Sequence, residues 1–468
     1  MKNQLFRKKS VSQILSDSAT HGSGLAKVLG VRDLVSLGIA AIVGAGIFST
    51  IGLAAFNGGP AVSLLFVFVA FACVFTALSY AQFASTVPVS GSAYTYAYVA
   101  FGELFAWIIG WALVLEYAVS NMAVAVGFSA YLADVFDSVF GIHLPRELTT
   151  PMFAGGQATG AWFNLPAFIV LMVLTWLLVR GVRESARTNN IMVLVKVGAV
   201  LAFIIGAASA VDASNWTPYM PNGFSGVITG AAIVFFTYIG FDSVSTASEE
   251  CRNPQRDVPM GIIGTLLICT VLYIGVAVVL TGIVDYQTLS NAAPVANALK
   301  EIGLDNVRRI VSVGALIGMV SSLLVFQYGQ ARVWFAMSRD RLMPSSFSKV
   351  HPVHKTPHVS TWVAGLFVAI PAGIWDIGTF ADLSSIGTLF AFALVSAGVL
   401  VLRKRDPHLP RKFRVPFVPV VPVLSIVFCV ILMAGLPLEA WIRFAVWLVI
   451  GLVIYFTFGR KHSALAEK

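Results

Sequence analysis

Three ionisable side chains stand where the surrounding sequence is almost wholly apolar. Lys196 lies in "NNIMVLVKVGAVLAF", Glu116 in "GWALVLEYAVSN" and Asp242 in "TGAAIVFFTYIGFDSVSTASEE". A charge at such a depth is costly unless it faces a cavity or meets a partner, so these residues point to the handling of protons, ions or a polar substrate. Desolvation penalises the charged form of a buried lysine, which makes Lys196 a candidate for proton exchange. It could equally be a fixed positive charge, or a structural lysine bonded to backbone carbonyls. Glu116 is a candidate proton carrier or pocket wall, and could also be a neutral acid tying two helices together. Asp242 has the stronger claim, because Gly240 stands two residues before it.

Glycines mark a second kind of chemistry. Residues 38–50 read "GIAAIVGAGIFST", with Gly44 and Gly46 on either side of Ala45 inside an apolar run. Glycine loosens a helix by about 1 kcal/mol relative to alanine, so the pair suggests a helix meant to open. A helix broken at mid-depth exposes N–H groups at the start of its second half and C=O groups at the end of its first. The N–H groups attract an anion such as a carboxylate, and the C=O groups a cation such as an ammonium. A zwitterionic amino acid carries both. Close packing of helices through small residues would explain Gly44 and Gly46 taken alone. The second break, at Gly240 and beside a carboxylate, favours a binding site.

The elements that must hold these residues are membrane helices. Of the 468 residues 57% are hydrophobic and 11% charged, with a mean hydropathy of +0.84. Soluble domains carry about 25% charged residues. Apolar runs of the length that crosses a bilayer recur twelve times: roughly 33–56, 61–85, 103–134, 162–180, 187–210, 226–250, 258–284, 307–336, 358–376, 380–402, 419–437 and 439–459. The gaps are too short for a soluble domain, and the expected class is an all-α polytopic membrane protein. The net charge of +9 is a topology signal. With the N-terminus inside, 25 of the 31 Lys and Arg fall on inside segments, five fall outside, and Lys196 lies within a run. That asymmetry places both termini in the cytoplasm and speaks against nucleic acid.

Other classes find little support. The N-terminus "MKNQLFRKKSVSQILSDS" lacks the apolar core of a signal peptide, though Val11, Ile14 and Leu15 could form a short amphipathic helix. The four cysteines fall within runs or at a run end on the reducing side, so no disulfide is expected. His351-Pro-Val-His354 reads as a solvated turn and no metal or other cofactor is expected. No Gly-Lys-Ser/Thr phosphate loop occurs, and the acids lack an intramembrane-protease context, so neither ATP drive nor an enzyme is expected.

Longer motifs then fix a resemblance. "GAGIF" at 44–48, "PVSGSAYTY" at 88–96, "YIGFDSVSTASEECRNPQRDVP" at 238–259 and "YGQARVWFAMSRDRLMP" at 328–344 together resemble the cationic amino acid transporter family of the amino acid–polyamine–organocation superfamily. The resemblance covers essentially the whole chain. It implies a five-plus-five inverted-repeat core, 33–210 and 226–405, in the manner of sodium-coupled leucine transporters, with spans 1 and 6 discontinuous. Residues 1–32 and 460–468 would be cytoplasmic tails, and 419–459 the two outer spans. By position, the substrate carboxylate would meet amides around Gly44, Ala45 and Gly46. Its ammonium would meet carbonyls around Ile42, Phe236, Thr237 and Ile239. Lys196 matches the lysine that replaces the sodium ion in similar transporters without sodium coupling, and Glu116 and Asp242 match acidic positions of the third and sixth spans. Phe326 matches the residue facing the substrate's side chain. Its ring removes room for a guanidinium and favours small or medium neutral L-amino acids. Phe241, beside the second break, is placed as a thin gate. The implied function is proton-coupled symport by alternating access at the plasma membrane. Exchange, or uptake of arginine and lysine, is the alternative, and the span 10–12 face is one where a small accessory membrane subunit could bind.

Overall fold

The computed structural model describes residues 7, 8, 11, 28–89, 92–181, 186–354 and 356–465. Of the expected N-terminal amphipathic stretch only Val11 falls among them, and Ile14 and Leu15 lie outside the described residues. The helices that matter here are α1 (Val31–Ile42), α2 (Ile51–Gly58), α3 (Val62–Thr86), α4 (Ser92–Ala100), α5 (Glu103–Phe140), α6 (Leu165–Val179), α7 (Ala186–Ala207) and α8 (Gly223–Phe236). They continue as α9 (Ser243–Thr246), α10 (Pro254–Ile283), α11 (Pro294–Glu301), α12 (Asp305–Arg339), α13 (His358–Ile374), α14 (Ile377–Arg405), α15 (Val420–Ala434) and α16 (Leu438–Ile454). A two-stranded hairpin pairs Phe153–Ala154 with Gln157–Ala158.

Among the described residues seven helical stretches are long and apolar enough to cross a membrane, and four shorter helices are apolar as well. The chain is a mostly helical, multi-pass membrane protein. Every one of the twelve apolar runs coincides with helix, and most ends agree within a few residues. The stretch Gly46–Thr86 holds the second half of the first run and the whole of the second, separated at Gly59, whose φ of +67° stops one helix before the next begins. α7, α10 and α16 expose aliphatic side chains such as Leu194, Leu267 and Val449, which suit a lipid-facing surface.

α5 is the axis of the molecule: 94% of its most apolar window is buried, against 33% for the window in α7 and its short extension and 22% for the one that begins at α16. It packs on α12 and α14, α10 packs on α3 and α1, and α7 packs on α12 and α1. At the end of α5 away from the termini, Arg308 makes a buried ion pair with Asp134, donating from Nε at 2.7 Å, and reaches Asp137 at 2.8 Å. Ser312 donates to the other Asp134 oxygen at 2.6 Å. Two of the apolar runs, the first and the sixth, are the ones broken in mid-course: α1 stops at Ile42, and α8 stops at Phe236.

Candidate functional site

The first break starts where α1 runs out of carbonyl-bonded amides. Val43 still donates to Ile39, but the amides of Gly44 and Ala45 make no backbone hydrogen bond among the described residues. The chain resumes as a π-helical turn, Gly46–Thr50, before α2. Such wide turns recur at functional sites because they leave backbone groups unpaired. The carbonyls at the end of α1 are better served. Lys196 Nζ donates to Ala40 at 3.0 Å and to Val43 at 2.8 Å. Ser322 Oγ, from α12, also donates to Ala40 at 2.8 Å, and Tyr273 Oη, from α10, donates to Ile42 at 2.9 Å. Lys196 is therefore a buried amino group clamped on the open end of a helix, where the dipole is negative and favours positive charge.

The second break is a string of tight turns. Thr237, Tyr238 and Ile239 each donate three residues back, and Ser243, Val244 and Ser245 do the same on the far side. Between them the carbonyls of Thr237, Tyr238 and Ile239 and the amides of Gly240, Phe241 and Asp242 make no backbone bond among the described residues. Gly240 turns the corner at φ +120°, which side chains rarely adopt. The carbonyl of Phe236 is taken by Ile239, and that of Ile42 already holds Tyr273, so of the four expected ammonium acceptors Thr237 and Ile239 are the open ones.

The two breaks face one another. A Cβ built on Gly46 would stand 2.8 Å from Thr237 Cα, one on Gly240 would stand 2.9 Å from Ala41 Cβ, and one on Gly44 would meet Ser322 Oγ at 2.7 Å. The glycines thus permit close approach of one break to the other and of α12 to the first. In this conformation Thr237 and Ser322 fill the space above them.

The acids behave differently from the lysine. Neither oxygen of Asp242 nor of Glu116 has a well-formed hydrogen bond among the described residues, and both side chains are buried. The amides of Gly240, Asp242 and Ser243 lie near the Asp242 carboxyl without good geometry. The Thr388 hydroxyl near Glu116 is bonded instead to the Ser384 carbonyl at 3.0 Å. The two carboxyls act on one another electrostatically and share their surroundings with Tyr80 and Tyr117, while Tyr96 lies near Asp242. Phe241 is enclosed by Tyr80 and Phe392, at ring separations of 6.1 and 5.0 Å. Phe326 packs against Tyr117 at 6.2 Å, which puts it beside the Glu116 end of the site.

Sequence reasoning singled out the breaks, Lys196 and the acids but missed Ser322, Tyr273 and the tyrosines. A hydroxyl in the middle of an apolar run, as in "SSLL" at 321–324, was the signal available. It also missed Tyr131, whose hydroxyl donates to the Phe48 carbonyl at 2.6 Å and fixes the π turn to α5.

Known proteins resemble this chain over most of its length. The chain is 50% identical, over the full length of both, to the branched-chain amino acid permease BcaP of Bacillus subtilis (strain 168). It is 47% identical, over 99% of each chain, to the methylthioribose transporter of the same organism. It is 35% identical to the chloroplastic cationic amino acid transporter 9 of Arabidopsis thaliana, over 98% of this chain and 93% of that one. These relatives are permeases and transporters, not enzymes. A sequence model of the amino acid permease family matches residues 29–457, and the chain belongs to that family, within the amino acid–polyamine–organocation superfamily.

Proposed function

We propose that the protein is a secondary active transporter of neutral L-amino acids of small to medium size, up to the branched-chain ones, working by proton-coupled symport. The observation that supports this most is the pair of facing breaks. Unbonded amides at Gly44 and Ala45 suit a carboxylate, and unbonded carbonyls at Thr237 and Ile239 suit an ammonium. The ends of one α-amino acid are matched to the two breaks. The twelve helical runs are read as twelve crossings, with 33–210 and 226–405 as inverted repeats and spans 1 and 6 discontinuous. The distribution of basic residues supports an orientation in a bacterial plasma membrane with both termini on the cytoplasmic side.

In the proposed cycle the substrate enters from outside and docks between the breaks, and Phe241 shifts with its aromatic neighbours to close over it. Lys196 gives up or takes the coupled proton while its carbonyl partners on α1 move. Asp242 and Glu116, lacking a hydrogen-bond partner of good geometry, are the other places where a proton can reside. Phe326 against Tyr117 limits the length of the side chain accepted, and the branched-chain permease named above fits a pocket of that size.

Methylthioribose, which the second relative's name suggests as a substrate, has neither carboxylate nor ammonium. Thermal stabilisation of the purified protein separates the two. L-valine is expected to raise the melting temperature while isobutylamine, which lacks the carboxylate, and methylthioribose leave it unchanged. Stabilisation by methylthioribose but not by valine would overturn the amino acid reading.

A further inference from the structure

The last residues of the described chain return to the helix bundle at the end that carries both termini. After α16 the helix widens into a π turn, Tyr455–Gly459, and a short helix Arg460–His462 leads to Ser463, which is 1% exposed. Ser463 Oγ donates to Glu103 Oε2 at 2.5 Å, and Tyr455 Oη donates to Glu103 Oε1 at 3.0 Å. Both carboxylate oxygens at the start of α5 are thus held by the C-terminal segment. The next residue, Ala464, donates its amide to the carbonyl of Asp340 at 3.1 Å, directly after α12. The N-terminal segment joins the same cluster, since Glu103 donates its amide to the Arg7 carbonyl at 2.9 Å. Arg7 and Asp340 also face the Glu103 carboxylate, and Arg460 faces Tyr455.

From this cluster a line of hydrogen bonds leads to the second break. Tyr94 Oη, on α4, donates to Asp340 Oδ2 at 2.7 Å. In the same first turn of α4, Ser245 Oγ donates to Ser92 Oγ at 3.0 Å, and Ser245 lies on α9, three residues beyond Asp242. The segment after α9 pairs in turn with the segment before α1, through a bridge between Cys251 and Leu29, and Cys251 is 0% exposed.

We propose that Ser463 and Ala464 form a built-in clamp that keeps the termini-bearing end of the transporter closed. They lock the ends of α5 and α12 to each other, and through α4 to the stretch that follows the second break. Releasing Ser463 leaves a buried carboxylate oxygen without its donor and frees this end to open. The clamp takes from the proposed function only that this end opens during the cycle, and it does not depend on the substrate.

The test uses Cys251 as a reporter, in full-length protein with Cys73→Ala, Cys269→Ala and Cys429→Ala so that one thiol remains. The rate of maleimide labelling of Cys251 is compared between this parent and Ser463→Ala. Loss of one hydrogen bond to a buried carboxylate is expected to speed labelling about tenfold. Ser463→Thr, which keeps the hydroxyl, is expected to label at the parent rate. Unchanged or slower labelling in Ser463→Ala overturns the clamp. So does an equal acceleration at Cys429, retained alone in a second background, because Cys429 is buried in α15 away from the cluster. If Ser463→Ala does not purify as a folded protein, Tyr455→Phe removes the other donor to Glu103 and is read in the same way. Valine uptake by the same preparations reports on the transport reading separately from the labelling.

Discussion

The two breaks differ in how their loose backbone and charges are satisfied. At the first, three side chains from three other helices hold the end of α1: Lys196 from α7, Ser322 from α12 and Tyr273 from α10. At the second, the turns are closed by short-range bonds, with Tyr238 Oη donating to the Phe66 carbonyl of α3 and Ser245 Oγ to Ser92 Oγ, each at 3.0 Å, and the Asp242 carboxyl has no hydrogen-bond partner of good geometry. The first break is therefore coupled to the rest of the bundle by bonds that must be exchanged when it moves. The second carries a group whose state can change without breaking a well-formed bond. A lysine bonded to two carbonyls and a carboxyl without a well-formed bond make the two sides unequal, although both are helices interrupted at a glycine.

The largest effect is expected at Lys196. Lys196→Ala removes the ammonium from Ala40 and Val43, and pH-driven uptake is expected to fall by an order of magnitude or more while substrate binding survives. Uptake against binding in the same preparation checks this, and full accumulation in the variant would return Lys196 to a structural role. Next comes Gly240→Ala, which places a Cβ at φ +120° and 2.9 Å from Ala41. Strain of this kind costs about 1–3 kcal/mol, and the melting temperature in detergent is expected to drop accordingly.

A smaller effect is expected at Tyr273→Phe, which takes a donor from the Ile42 carbonyl but leaves the ring in place. The loss of one such bond is worth about 0.5–1.5 kcal/mol and should appear as a severalfold rise in KM with folding intact. Phe326→Ser is expected to leave neutral uptake nearly unchanged and to admit arginine or lysine. An unchanged substrate range would remove Phe326 from the pocket. The weakest perturbation is Lys300→Ala, since Lys300 is 57% exposed and bridges Asp137 at 3.2 Å. Exposed pairs contribute about 0–1 kcal/mol, so a shift in stability beyond that would show that the α11 segment is held more tightly than its surface bridge allows.

The twelve helical runs were legible in the sequence because lipid imposes one rule, continuous apolar length, on nearly every segment. The two breaks were legible for the same reason: Gly44, Gly46, Gly240 and Asp242 violate that rule. The helices α4 and α11 were not, because they lie between the apolar runs and answer to contacts rather than to lipid. Nor were Ser322 and Tyr273 as partners of the first break. A serine and a tyrosine are ordinary in membrane helices, and their role depends on which helix lies opposite, a long-range fact that periodicity does not carry. The glycines show the reverse case. Their presence marked the site, but what stands above Gly44 and Gly46 here is Ser322 and Thr237, a packing relation visible only once the breaks are brought face to face.

The most direct measurement is uptake of labelled valine into liposomes holding the purified protein, with and without an inward proton gradient, and with single unlabelled amino acids as competitors. Accumulation is expected to require the gradient, to be blocked by small and branched-chain neutral amino acids, and to be indifferent to arginine. Uptake that occurs only when the liposomes are preloaded with amino acid, whatever the gradient, would contradict this expectation and make the protein an exchanger.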